Sequence, residues 1–264
     1  MSETAASRAA GILSDKTCIV MGVQNRWSIA WQIAEAMANA GASVAITYVD
    51  ERAKRNAEQL AETVPGMKTF ECDVTKDDSI SNLATELKNE YGMIDTLVHS
   101  IAYAPADELK NPFLQTSREG FRMAQDISVY SLIVVARELV PIMSEHGSIV
   151  TMTYLGSTRA FPKYNVMGVA KAALEATVRY LALDLGEKGI RVNAISAGPI
   201  KTASARGIPG FSDMANMAAE RSPLGKVFSP QHVAGMAVFL ASDASAGVTG
   251  DVIFVDGGYH AIGM

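Results

Sequence analysis

Cysteine, positive charge and long apolar runs are all scarce in this sequence, and each shortage excludes something. Only Cys18 and Cys72 are present, each in or at the end of an apolar run. A disulfide scaffold is thereby excluded, and two buried free thiols suit a reducing cytoplasm. The net charge of −5 argues against a nucleic-acid surface and gives no attraction to anionic membranes. No stretch approaches the roughly 18 apolar residues that span a bilayer; SLIVVARELVPIM is broken by Arg137 and Glu138. The N-terminal MSETAASRAAGILSDK has no basic region followed by an apolar one, so secretion is not expected. His99, His146, His232 and His260 lack metal-ligand spacing, and no metal is expected. The glycine-rich G-x-G-x-x-G fingerprint of dinucleotide sites is also missing. With no internal repeat and no Ser/Gly linker, residues 1–264 read as one domain.

What is present is an alternation. Hydrophobic residues make up 48% of the chain, enough for a large core. TCIVMG at 17–22, SVAITYV at 43–49, MKTFECDV at 67–74, IDTLVHS at 94–100, SIVTMT at 148–153, RVNAIS at 191–196 and VIFVDG at 252–257 read as strands. Helical periodicity falls between them: over 28–42, 50–64, 77–91, a long helix from Ser117 to about Ser144, one to about Leu185, and one near 231–241. Such a rhythm predicts a parallel sheet of about seven strands with helices on both faces, a doubly wound Rossmann domain of the α/β class. The segment 202–221, rich in Ala, Gly and Met, breaks the rhythm and reads as a mobile lid over the substrate.

The chemistry centres on Tyr164 and Lys171, seven residues apart, with Met167, Gly168 and Ala170 between them. Seven residues make about two helical turns, so both side chains leave one face. Tyr hydroxyls ordinarily ionise near pH 10, and an ammonium nearby is expected to favour the phenolate and bring proton transfer toward neutrality. Small residues between the two let a flat cofactor lie close to the helix. This spacing also arises by chance in long helices, as an exposed Lys and a half-buried Tyr. A second tyrosine, Tyr154, lies ten residues earlier in the turn after SIVTMT.

Context decides. YLG at 154–156, YNVMGVAKAALEA at 164–176 and RVNAISAGPI at 191–200 resemble the short-chain dehydrogenase/reductase family. HSIAYAP at 99–105, SREGF at 117–121, DIS at 126–128 and VTGDVIFVDGGYH at 248–260 extend the resemblance over almost the whole chain. The paired tyrosines, and SIA in place of a glycine-rich helix start, are similar to its branch of NADH-dependent enoyl-acyl-carrier-protein reductases. The resemblance implies reduction of the trans-2 double bond of an acyl thioester on acyl carrier protein. Hydride would go to the β-carbon and leave an enolate. Tyr164 would hydrogen-bond that oxyanion, Lys171 would grip the nicotinamide ribose, and Tyr154 would bound the pocket. It also implies a homotetramer built through the two long helices.

In such a sheet, ligands lie beyond the carboxyl ends of the strands. Gly22 permits a sharp turn there, and Ser28 is placed to cap the next helix; the free amides of Ser28 and Ile29 are expected to meet pyrophosphate. Capping alone accounts for Ser28 equally well. Gln24 stands where related reductases have a small residue. Asp73 is expected to accept from the adenine amino group with Val74 against the ring, or else CDVTKDD is a turn with Thr75 as N-cap. Ser100, Ile101 and Ala102 would line the adenosine ribose; Ile200 and Thr202 would meet the nicotinamide carboxamide. At the end of the second strand, Val49 and Asp50 stand where selection for a 2′-phosphate wants Arg or Lys. NADH is therefore expected over NADPH, with Asp50 also placed to cap a helix and Arg52 close by.

For the acyl chain, Tyr103, Met167, Ile208, Phe211, Met214 and Met217 supply an apolar slot, or core packing, and Ala104 offers backbone to the substrate. Acyl carrier protein is acidic, so its dock should be basic. Pro209 and Asp213 stand where relatives carry basic residues, leaving Lys201, Arg206, Arg221 and Lys226. A 3-ketoacyl reductase with Thr151 in place of the usual serine is the alternative reading, and a non-catalytic dinucleotide sensor a more distant one.

Overall fold

The computed structural model describes residues 11–200, 211–225 and 229–262. The described strands are β1 (Thr17–Met21), β2 (Ser43–Tyr48), β3 (Lys68–Glu71), β4 (Ile94–His99), β5 (Met143–Thr153), β6 (Arg191–Ala197) and β7 (Val252–Val255). They form one sheet in the order β3-β2-β1-β4-β5-β6-β7, every neighbouring pair parallel. The order reverses between β1 and β4, the topological switch point at which open α/β sheets part their loops.

The described α-helices are α1 (Ile29–Asn39), α2 (Glu51–Ala61), α3 (Asp77–Tyr91), α4 (Ala106–Lys110), α5 (Arg118–Gln125), α6 (Ser131–Leu139), α7 (Asn165–Leu185), α8 (Phe211–Arg221) and α9 (Pro230–Ala241). Alternation along β1 sorts the core into two layers. Cys18 and Val20 pack with α1 and α9 on one face, whereas Ile19 and Met21 pack with α3, α6 and α7 on the other. Burial raises the pKa of both thiols, Cys18 and Cys72, to about 12, so they stay protonated and apolar in character.

The expected long helix from Ser117 to Ser144 is corrected. It is split into α5, a π-helical turn at Asp126–Tyr130 and α6, and it ends in a 3-10 turn at Val140–Ile142. Pro141 has no amide to continue the helix, and β5 has begun by Met143. Its pairing with β4 shifts register between Ile94 and Thr96. A further correction concerns α3: its N-cap is Lys76, without a side-chain bond, rather than Thr75. Residues 202–210 of the expected lid, with Thr202, Arg206, Ile208 and Pro209, lie outside the described residues, as do Lys201 and Lys226; 211–221 is the helix α8.

Candidate active site

Strand β5 is buried from Gly147 through Thr153, and it delivers Tyr154 just past its carboxyl end. A 3-10 turn, Leu155–Ser157, leads to Tyr164, the N-cap residue of α7. Tyr154 and Tyr164 meet edge to face with ring centroids 5.0 Å apart, and Phe161 tilts against Tyr154 at 5.2 Å. Two turns into α7, Lys171 is buried and its Nζ donates to Met152 O at 2.8 Å. The structure therefore sets the two tyrosines against each other just past β5 and ties Lys171 to Met152 near the end of the same strand. At Gly168 a Cβ would lie 2.8 Å from Gly156 O, so its smallness also seats α7 on the turn.

The electrostatics overturn one expectation. Tyr164 does not move toward phenolate; burial, then Tyr154 and Glu175, push its pKa up. Burial likewise raises Tyr154, with Tyr259 and Asp256 adding to it. Burial pulls Lys171 down to about 8, against the pull of Glu175. The site thus holds a phenol kept neutral by burial and, on the same helix, an ammonium that titrates close to the working range. Behind them, His99 lies between Ser131 Oγ at 2.8 Å and Thr151 Oγ1 at 3.3 Å. Burial, then Lys171, keeps it neutral with a pKa of about 3.

At the switch point the cofactor residues gather. Gly22, at φ +89°, turns the chain where a Cβ would lie 2.1 Å from Ser100 O, so the ends of β1 and β4 approach through backbone. Ser28 caps α1, its Oγ accepting from the Trp31 amide at 3.2 Å. Its own amide was expected to be free, and this is corrected: it donates to Asn25 O at 3.0 Å. The Ile29 and Ala30 amides are the first-turn donors that helix geometry leaves over. Val49 is 50% exposed beside Asp50, which caps α2 through the Ala53 amide at 2.8 Å. Asp73 is engaged by the Thr75 amide and hydroxyl and by Lys76, with Val74 half-buried next to it. Ser100 and Ile101 are half-buried, Ala102 is exposed, and Ile200 is buried. The geometry fits a dinucleotide: a close backbone turn, a helix N-terminus and a lysine converge on the carboxyl ends of β1, β4 and β5.

On the substrate side, Ala104, Tyr154, Tyr164 and Met167 belong to one small cluster with Leu109 and Phe161. Tyr103 projects outward, half exposed, while its backbone is held at both ends by Ser128 of the π turn: its amide donates to Ser128 Oγ at 3.0 Å, and that hydroxyl donates to Tyr103 O at 3.1 Å. Tyr154 Oη donates to Met214 Sδ at 3.4 Å, which ties α8 to the tyrosines; Met217 is exposed, and Phe211 opens α8. Sequence reasoning missed Ser128, Phe161 and Asn165. Asn165 donates to Glu108 O and Asn111 O at 3.1 and 2.8 Å, anchoring α7 to α4. Ser128 and Asn165 stand within the motifs DIS and YNVMGVAKAALEA, and Phe161 lies three residues before Tyr164, so each carried a signal. Among the described residues no cluster of His, Cys, Asp and Glu could hold a metal ion.

The family model described as enoyl-(acyl carrier protein) reductase matches residues 22–260. The chain is 50% identical to the enoyl-acyl-carrier-protein reductase (NADH) FabI of Bacillus cereus, over 96% of this chain and 99% of that one. It is 48% identical to the corresponding NADPH enzyme of Staphylococcus aureus, over 95% and 98%. The crystal structure of the NADH enzyme of Aquifex aeolicus superposes with a TM-score of 0.92 at 45% identity, over 96% and 100%.

Proposed function

The chain belongs to the enoyl-acyl-carrier-protein reductase branch of the short-chain dehydrogenase/reductases, and we propose that Tyr154, Tyr164 and Lys171 carry its reaction. It is an oxidoreductase that uses NADH to reduce the trans-2 double bond of enoyl-acyl-carrier-protein thioesters in fatty acid elongation. Bound NADH supplies the hydride that reaches the β-carbon. The protein's own part is to accommodate the charge that appears on the thioester oxygen. Tyr164 does this as a hydrogen-bond donor, and its raised pKa is what supports the reading. A phenol that keeps its proton, fixed by the edge-to-face contact with Tyr154, needs no reorganisation as the enolate forms. Lys171 has N–H groups left for the nicotinamide ribose after the bond to Met152 O.

Gly22, Ser28, Ile29, Val49, Asp73, Val74, Ser100, Ile101, Ala102, Ile200 and Thr202 serve the cofactor in this reading. Ala104, Tyr103, Met167, Ile208 and Phe211 serve the acyl chain, with 202–221 as the lid of a single domain. The observation that supports it is the Tyr154–Tyr164 ring contact just past β5, with Lys171 bonded to Met152 O near the end of the same strand. The test is NADH oxidation with a medium-chain trans-2-enoyl thioester beside a 3-ketoacyl thioester. Enoyl turnover is expected to fall at least tenfold in Tyr164→Phe while NADH still binds, since one charge-assisted hydrogen bond contributes about 1.5–3 kcal/mol. Turnover of the ketoacyl substrate alone sinks the assignment.

A cytoplasmic homotetramer completes the reading. Among the described residues no helix is long and apolar enough to cross a membrane. Phe121, Tyr130 and Ile133 on α5, the π turn and α6, and Val169, Tyr180 and Leu183 on α7, are exposed apolar residues that suit subunit contacts. A monomer in sedimentation, or protein recovered with membranes on fractionation, would remove the corresponding part.

A further inference from the structure

Among the described residues, Glu175 is one of the buried charged groups that the reaction leaves without a task. It lies one helical turn beyond Lys171 on α7, and the two are 8% and 5% exposed. Residues four apart share a helix face, with Cβ atoms about 5–6 Å from one another. Adjacent residues of β5 take hold of both. Lys171 Nζ donates to Met152 O at 2.8 Å, and Thr153 Oγ1 donates to Glu175 Oε1 at 2.7 Å. The end of one strand thus fixes an ammonium and a carboxylate in register. A carboxylate is costly to bury without a cation to answer it, and an apolar side chain would fill this position without that cost.

We propose that Glu175 is a positioning residue: latched by Thr153, its carboxylate is the buried countercharge that keeps Lys171 an ammonium at the cofactor site. This rests on the reading of Lys171 as the residue that grips the nicotinamide ribose. Lys171 needs the support, because burial draws its pKa down to about 8 and Glu175 works in the opposite direction. The other groups facing this cluster supply no comparable charge. From β4, His99 is held neutral. From the turn after β5 and the start of α7, Tyr154 and Tyr164 are kept protonated by burial. From the C-terminal turn, Tyr259 and Asp256 act on Tyr154, and Asp256 is engaged by His260 and the Gly258 amide. From β5 itself come the uncharged Thr151 and Thr153.

The experiment is the pH dependence of NADH affinity, followed by NADH fluorescence, for the full chain and for Glu175→Gln and Glu175→Asp. Gln keeps the shape and still accepts from Thr153 but removes the charge. The basic limb of the affinity profile is expected to move down by about one pH unit or more, with affinity at pH 6 within about twofold of the unchanged chain. In Glu175→Asp, which keeps the charge on a shorter stem, the limb is expected part-way between. A limb that stays in place in Gln, or an affinity lowered equally at every pH, overturns the proposal and leaves Glu175 a packing residue. If circular dichroism shows the Gln variant unfolded, the Asp variant decides, and an undisplaced limb there overturns it. Because the readout is cofactor binding, it stands apart from the choice of thioester; an unchanged chain that binds no NADH overturns the cofactor role of Lys171 and this proposal with it.

Discussion

Replacing Gly22 by alanine tests the junction on which both sheet and cofactor site depend. Two costs arise. An L-residue at φ +89° costs about 1 kcal/mol of backbone strain. The added Cβ would also lie 2.1 Å from Ser100 O, where ordinary contact begins at 3.4 Å, so the backbone of β4 must retreat by about 1.3 Å. Forcing atoms into a packed junction costs about 1–3 kcal/mol, for a total near 3 kcal/mol. Gly66→Ala is the control: its φ is +78° and a Cβ there meets nothing within 4 Å, so strain alone applies. At about 2–4 °C per kcal/mol for a chain of this size, calorimetry should show Tm lowered by about 6–12 °C for Gly22→Ala and by about 2–4 °C for Gly66→Ala. NADH affinity should fall only in the first, because Ser100–Ala102 moves with β4. Equal Tm losses, or intact affinity in Gly22→Ala, would refute the reasoning.

Two further outcomes concern charge. Burial lowers Lys171 from 10.5 to about 8, so below pH 8 the ammonium is carried into the fold at full cost. Between pH 8 and 10.5 the folded chain releases that proton before the unfolded chain does, and stability gains with rising pH. Lys171→Met removes the cost: urea melts at pH 7 should show a gain of about 2 kcal/mol after the bond to Met152 O is subtracted, narrowing at pH 9.5, with NADH binding lost. Destabilisation at both pH values would contradict it. Val49→Arg sets a guanidinium at an exposed position at the end of β2. Pairing with a 2′-phosphate should raise kcat/KM for NADPH by about tenfold or more relative to NADH; an unchanged preference would move the selectivity elsewhere.

The helix starts at Ser28 and Asp50 were legible because N-capping is local: one side-chain oxygen answers an amide three residues on, as both do here. The split of the helix after Ser117 was not, because a π turn inserts without any change in apolar pattern. The same locality misled at Lys171. Spacing on one helix face put an ammonium near Tyr164, but its hydrogen bond runs to Met152 O on another element, and the phenol answers to burial instead.

By itself, then, the sequence determined the seven alternating strands, their parallel pairing, and the residue types that gather at the ends of β1, β4 and β5. Periodicity and chain reach control these, and both are properties of neighbours along the chain. Only the tertiary structure decided the protonation of that site. Whether Tyr164 keeps its proton and Lys171 its charge depends on how much water each side chain loses, and on buried partners such as Glu175 and Met152. Desolvation belongs to the packed molecule rather than to any stretch of chain.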